Sequence, residues 1–288
     1  MLEYILHILV VMGIYVILAV SYDLLIGYAG LFSVAHAAFY GIGAYVAGLL
    51  SVYFGLNFLL GAVIAMAVAA LASVILAIPA LRLPGDYLVI GSFGFVVIVN
   101  NLFLNLESVT KGPAGLPGIA KPELLGFQFS SLESYFILVA VVTVLVYLAC
   151  WRLVRSPFGR VLKAIREDEV ATASLGKDIV KFKVLVFVIS GFLAAIAGVL
   201  YAHYYTFISP YTFTVHESVY ILSLVIVGGP GTLRGSVVGS MVLVTLPTLI
   251  KFIHLPDDVA APLRNMLYGA LLIVFMIFRP TGLMGKRK

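Results

Sequence analysis

The sequence predicts an all-α fold: a polytopic bundle of transmembrane helices, about eight to ten spans, with one or two of the helices interrupted. Three observations lead there. Hydrophobic residues make up 62% of the 288 positions and charged residues only 11%. Apolar runs of span length recur along the whole chain, and the basic residues gather in a few of the connections between them. A soluble domain carries roughly a quarter charged residues, and no stretch here is polar enough to form one. The chain therefore reads as a single transmembrane domain, residues 1–288, with one substantial cytoplasmic loop at 152–183.

A membrane-crossing helix needs about 20 apolar residues. Apolar runs lie at 5–20, 37–53, 58–78, 87–106, 135–151, 182–207, 219–227, 237–253 and 262–278, of which 219–227 is too short to span alone. A barrel strand would alternate apolar and polar residues; these runs are apolar on every face, so they are helices. The first run has no basic stretch before it, carries Glu3 and ends at Leu18, Ala19 and Val20 without a small-residue cleavage site. It reads as a retained span rather than a signal peptide.

The connections divide by charge. Arg82 lies in one; Arg152, Arg155, Arg160, Lys163, Arg166, Lys177, Lys181 and Lys183 lie in another; Arg234 lies in a third. Arg279, Lys286, Arg287 and Lys288 follow the last run. Alternating crossings put all fourteen of these on one side, against Lys111, Lys121, Lys251 and Arg264 near the other. The positive-inside rule makes the first side the cytoplasm, with the N-terminus outside and the C-terminus inside a cell membrane. The formal net charge of +5 thus reflects topology and gives no reason to expect nucleic acid. A lone cysteine, Cys150, supports neither an internal disulfide nor a zinc site.

Two glycine-punctuated stretches are too apolar for solvated loops. One holds Gly27, Gly30 and Ser33; the other holds Gly228, Gly229 and Gly231. Irregular backbone at membrane depth survives only where protein or a water-filled cavity satisfies its polar groups. Paired interruptions of this kind mark translocation paths in transporters, so these six residues are the candidate breaks along a path. The Gly- and Pro-rich connection 108–132 faces outward, as a plain connector or as a place to meet a substrate-delivering partner.

Few residues offer chemistry. Asp23, Asp86 and Glu217 fall near predicted span ends, where an interfacial or capping role is expected, and His36 and His203 likewise. No predicted span carries a carboxylate at its middle, which weighs against an ion-coupled carrier. Glycine and alanine pairs four apart, Gly191 with Ala195, Ala194 with Gly198 and Gly235 with Gly239, suit close helix packing. The 41–48 stretch has the wrong spacing for a dinucleotide fingerprint, and 228–235 lacks the Gly-Lys-Ser/Thr of a phosphate loop. With no catalytic or metal-ligating constellation in view, the chain reads as a non-catalytic membrane subunit.

The segment 156–177 is the most informative. Pro157 and Gly159 open it, and Gly176 is placed to end a helix at Ser174 or Leu175. Val161, Leu162, Ile165, Val170, Ala173 and Ser174 offer one less polar face; Arg160, Lys163, Arg166, Glu167, Asp168 and Glu169 offer charge. It reads either as a solvated connector or as a short helix docking into a groove on a cytoplasmic partner.

Five ordered blocks, at 27–33 with 38–45, 156–176, 194–201 with 208–210, 228–235 and 278–283, resemble the permeases of branched-chain amino acid (Liv-type, LivM-like) ABC importers. The resemblance covers nearly the whole chain. It implies a heterodimer with a second permease subunit, two cytoplasmic ATPase subunits and an extracytoplasmic substrate-binding protein. It further implies ATP-driven alternating access, with ATP used by the partner and no cofactor bound directly. By the same resemblance, 160–176 is the segment that contacts the ATPase. Many ABC importers carry Glu-Ala-Ala-x-x-x-Gly there; here Glu169, Val170 and Ala171 are followed by Gly176 one position late, so the resemblance assigns the segment and not its individual contacts. Related permeases carry urea, amides or sugars, and an ion-coupled secondary transporter, indifferent to ATP, is the alternative of a different class.

Overall fold

The structure is a computed structural model that describes residues 2–80, 87–124, 126–251, 266, 269–270, 273 and 282–285. The predicted last span, 262–278, lies almost wholly outside the described residues, as do Arg82, Asp86, Arg264, Arg279, Lys286, Arg287 and Lys288.

Helix α1 (Leu2–Asp23) continues as a π turn over Leu24–Tyr28. It is followed by α2 (His36–Phe54), α3 (Phe58–Ala80), α4 (Tyr87–Asn105), a short α5 (Glu107–Thr110) and α6 (Leu132–Arg155). Two short helices, α7 (Pro157–Glu167) and α8 (Glu169–Ser174), lead into α9 (Ile179–Tyr205), α10 (Val215–Gly228) and α11 (Leu233–Lys251). Among the described residues, seven helical stretches are long and apolar enough to cross a membrane, and Leu233–Leu246 of α11 is a shorter apolar one. The chain is a polytopic helical bundle. The run that looked too short at 219–227 is part of a longer stretch: a 3-10 turn at Pro210–Thr212 precedes α10, and Pro210–Gly228 together reach span length.

Helices α2 and α9 form the centre and are the most enclosed of the spans. Lipid gives apolar side chains little reason to associate, so close backbone approach supplies the contact. A Cβ on Gly43 would stand 2.5 Å from Ala195 Cα, and one on Gly198 would overlap Tyr40 O. Around this pair, α3, α4 and α6 turn apolar side chains such as Leu71, Ile75, Ile90, Ile98 and Leu145 outward, as lipid-facing helices do.

The connection 108–132, expected to face outward, carries short paired strands among its described residues. Strand β1 (Leu116–Pro117) pairs antiparallel with β4 (Phe207–Ile208), and β2 (Glu123–Leu124) pairs with β3 (Phe127–Gln128). His203 Nδ1 lies 2.6 Å from Ala120 O and the Ile119 N–H donates to Thr206 O at 3.2 Å, fastening this connection to the end of α9.

Candidate functional site

Three segments far apart in sequence meet at the end of α1: the π turn, the turn 229–232 between α10 and α11, and α7. Asp23 is fully buried, and its Oδ1 accepts a hydrogen bond from the Gly231 N–H at 2.8 Å. Sequence position alone put Asp23 at an interface; it is instead enclosed by protein, which a carboxylate tolerates only with a hydrogen-bond partner. Gly27 permits the approach, because a Cβ there would overlap both Asp23 Oδ1 and Gly231 N.

Arg166 enters from α7. Its Nη1 donates to Gly27 O. Its stem passes Gly30, where φ is +71° and a Cβ would come within 3.1 Å of Arg166 Cγ. A Cβ on Gly231, where φ is +83°, would stand 2.9 Å from Arg166 Nη1. Gly27, Gly30 and Gly231 thus make a socket for one guanidinium, which also acts electrostatically on Asp23. The residues were separate candidates in the sequence. No local spacing signals a contact between positions 27 and 166.

The remaining glycines shape the second wall. Gly228 packs on the backbone of Gly235, and Gly229, at φ +111°, turns the chain out of α10. The turn at 282–285 closes that helix end: Leu283 N–H donates to Val227 O at 2.9 Å and Met284 N–H to Gly228 O at 3.0 Å. Ser33 sits in the non-helical stretch after the π turn, whose backbone is satisfied by side chains. Tyr22 Oη donates to Ser33 O at 2.5 Å, Val34 N–H to Ser92 Oγ at 3.0 Å and Ala37 N–H to Ser218 Oγ at 3.1 Å.

The segment 157–176 is two helices rather than one. Leu162 and Ile165 of α7 are buried against the bundle, and Gly159 lies tight on the Val154 backbone. Asp168 leaves helical geometry and caps α8, its Oδ1 accepting from Val170 and Ala171 N–H at 2.9 Å each. Glu169 pairs with Lys183 Nζ at 2.5 Å, and Gly176, at φ +76°, follows the end of α8. Arg160 is exposed, and Lys163 lies 5.4 Å from the centre of the Tyr28 ring. The expected apolar face does not continue through α8: Val170 is 77% exposed and Leu175, just beyond, 78%.

Other candidates fall elsewhere. His36 is buried with Nε2 2.9 Å from Ser21 Oγ, and Cys150 is buried and free. Glu217 lies in the first turn of α10, as its place near a span end suggested, and accepts from Tyr15 Oη at 2.7 Å. Tyr15 stands thirteen residues from either end of the Leu2–Tyr28 stretch, about 20 Å at the helical rise. A carboxylate therefore lies level with the middle of one span while belonging to the first turn of another helix, which weakens the argument from the absence of mid-span carboxylates. Among the described residues, no group of three His, Cys, Asp or Glu could hold a metal ion.

A family model described as a branched-chain amino acid transport system permease component matches residues 4–276. The chain is 35% identical to the high-affinity branched-chain amino acid transport system permease protein LivM of Salmonella typhimurium, over 94% of this chain and 68% of that one. It is 36% identical to LivM of Escherichia coli over the same shares. Identity to a probable branched-chain amino acid transport permease protein LivM of Methanocaldococcus jannaschii is 28%, over 96% and 91%. No solved structure matches. With a match across almost its whole length and a helical bundle to carry it, the chain belongs to the family of branched-chain amino acid transport system permease components, multi-pass proteins of the membrane.

Proposed function

We propose that this chain is a permease subunit of an ABC importer that moves branched-chain amino acids by ATP-driven alternating access, its whole length acting as one membrane domain. The observation that carries this reading is the socket. A helix outside the spans, α7, is fastened through Arg166 to the end of α1 and, through Gly231, to the α10–α11 turn. A push on α7 is therefore delivered to three spans at once.

In this reading, ATP hydrolysis belongs to two cytoplasmic partner subunits that dock on α7 and α8, where Val170 and Leu175 stand exposed. The relatives' names support the substrate class. A second permease subunit completes the path, and an extracytoplasmic binding protein delivers substrate. The one-sided Lys and Arg supports a cell-membrane orientation with the N-terminus outside. Glu217 keeps an ion-coupled carrier as the competing reading, since mid-membrane carboxylates serve proton relays.

The test is reconstitution in proteoliposomes with the candidate partner subunits. Labelled leucine accumulates only with ATP and an intact ATPase. Equal accumulation without ATP, or with an ATPase crippled in its phosphate loop, refutes the importer. ATP-dependent uptake of urea, an amide or a sugar in preference to leucine keeps the mechanism and replaces the substrate.

A further inference from the structure

A cleft of about 350 Å³ opens beside the socket, at the ends of α1, α6 and α11 and against α7. Tyr28, Trp151, Arg155, Lys163, Leu233 and Arg234 are among its walls. Three of these are cations, and among the described residues none of the three forms a salt bridge with a carboxylate. Arg155 instead lies over the Trp151 ring, 4.0 Å from its centre, and Lys163 lies 5.4 Å from the centre of the Tyr28 ring. Such stacking holds a cation in place without neutralising it. The first turn of α11 adds backbone N–H groups and the positive end of a 19-residue helix.

The position of the cleft decides what would fill it. Trp151 is 38% exposed at the end of α6, where interfacial aromatics sit in membrane helices. One to two turns back along α6, Val144, Leu145 and Leu148 are each more than half exposed and apolar. A molecule with an anionic head in the cleft would find an acyl-chain surface directly beside it. Basic pockets between transmembrane helices take anionic lipid head groups by this arrangement.

We propose that the cleft binds the phosphate head group of an anionic phospholipid, its acyl chains lying along the outward face of α6. Lys163 belongs to α7 and Tyr28 to the π turn, so an occupied cleft bridges the helix that carries Arg166 to the spans it holds. The site requires no particular transported substrate.

The experiment uses the full chain, purified with its co-purifying subunits and exchanged into nanodiscs of phosphatidylcholine with or without phosphatidylglycerol. Retained lipid is counted by native mass spectrometry after mild detergent extraction. The natural chain retains phosphatidylglycerol over phosphatidylcholine. Each cation near an anionic head group is worth roughly fivefold in affinity, so Arg155→Gln, Lys163→Gln and Arg234→Gln together lower retention on the order of a hundredfold. Lys163→Gln alone lowers it about fivefold, which keeps the test intact where the triple variant does not fold. Lys177→Gln with Lys181→Gln, off the cleft, leaves retention unchanged. Equal retention by the natural chain and the cleft variants overturns the proposal. So does full competition by inorganic phosphate, which would mark the cleft as a free-anion site, or lipid retention that appears only once the co-purifying ATPase is stripped away, which would give the cations to that partner.

Discussion

Replacing Arg166 with glutamine removes the guanidinium while keeping a side chain of similar reach. The loss is the hydrogen bond to Gly27 O and the positive charge acting on Asp23. A hydrogen bond with a charged partner is worth about 1.5–3 kcal/mol. Arg166 is more than a third exposed, so solvent screening pulls the charge contribution toward the low end, and about 1.5 kcal/mol is the working figure. At about 1.4 kcal/mol per decade, that is roughly tenfold in the ratio of molecules with α7 engaged on the bundle to molecules with α7 released. The assay is leucine taken up per ATP hydrolysed by the reconstituted transporter, with assembly monitored by co-purification. Uptake per ATP falls in Arg166→Gln, by at most about tenfold, while ATPase turnover and assembly stay near normal. A ratio equal to that of the natural chain refutes the socket as a transmission point and returns α7 to the role of a connector.

Other perturbations test separate parts of the structure. Gly43→Ala drives a methyl against the Ala195 backbone, and overpacking of this kind costs about 1–3 kcal/mol; the melting temperature in detergent falls by several degrees, whereas Gly61→Ala, with nothing within 4 Å, leaves it unchanged. Tyr22→Phe strips the donor from Ser33 O in a buried stretch and costs about 1–3 kcal/mol, again read as a drop in melting temperature. Val170→Ser with Leu175→Ser removes two exposed apolar side chains and weakens co-purification of the ATPase without altering expression or melting. Glu217→Gln keeps the Tyr15 contact in reach and removes the charge; ATP-dependent accumulation persists in an importer, whereas in a proton-coupled carrier the gradient-driven accumulation is lost.

The spans were legible because lipid imposes a length and a polarity that no tertiary context overrides. The exception, 219–227, was truncated by the polar residues among 209–218, of which Ser218 is buried and Glu217 is bonded to Tyr15 inside the bundle. Gly27 and Gly231 were visible as anomalies of composition, yet their purpose was not, because the atoms a Cβ would meet include those of Asp23, Gly231 and Arg166 at long sequence separations. The split between α7 and α8 did have a signal. Asp168 is a strong N-cap type placed just ahead of the Val170 and Ala171 N–H groups it accepts; reading it only as a surface charge concealed the break.

That break changes what the carboxylates of this segment are for. Replacing Glu167, Asp168 and Glu169 together does not isolate docking of a partner. Asp168 and Glu169 are engaged within the chain, one as a cap and one with Lys183, so their loss would loosen α8 itself. The division of labour follows from burial. Helix α7 turns Leu162 and Ile165 into the bundle and inserts Arg166 between Gly30 and Gly231, so it moves with the spans. Helix α8 turns Val170 outward, next to exposed Leu175, and is held to α9 by an ion pair whose Glu169 side is exposed. A partner that grips α8 can therefore shift it at little cost. The rigid step comes at α7, whose displacement must carry the ends of α1, α10 and α11 with it or break the hydrogen bonds at Gly27 and Asp23.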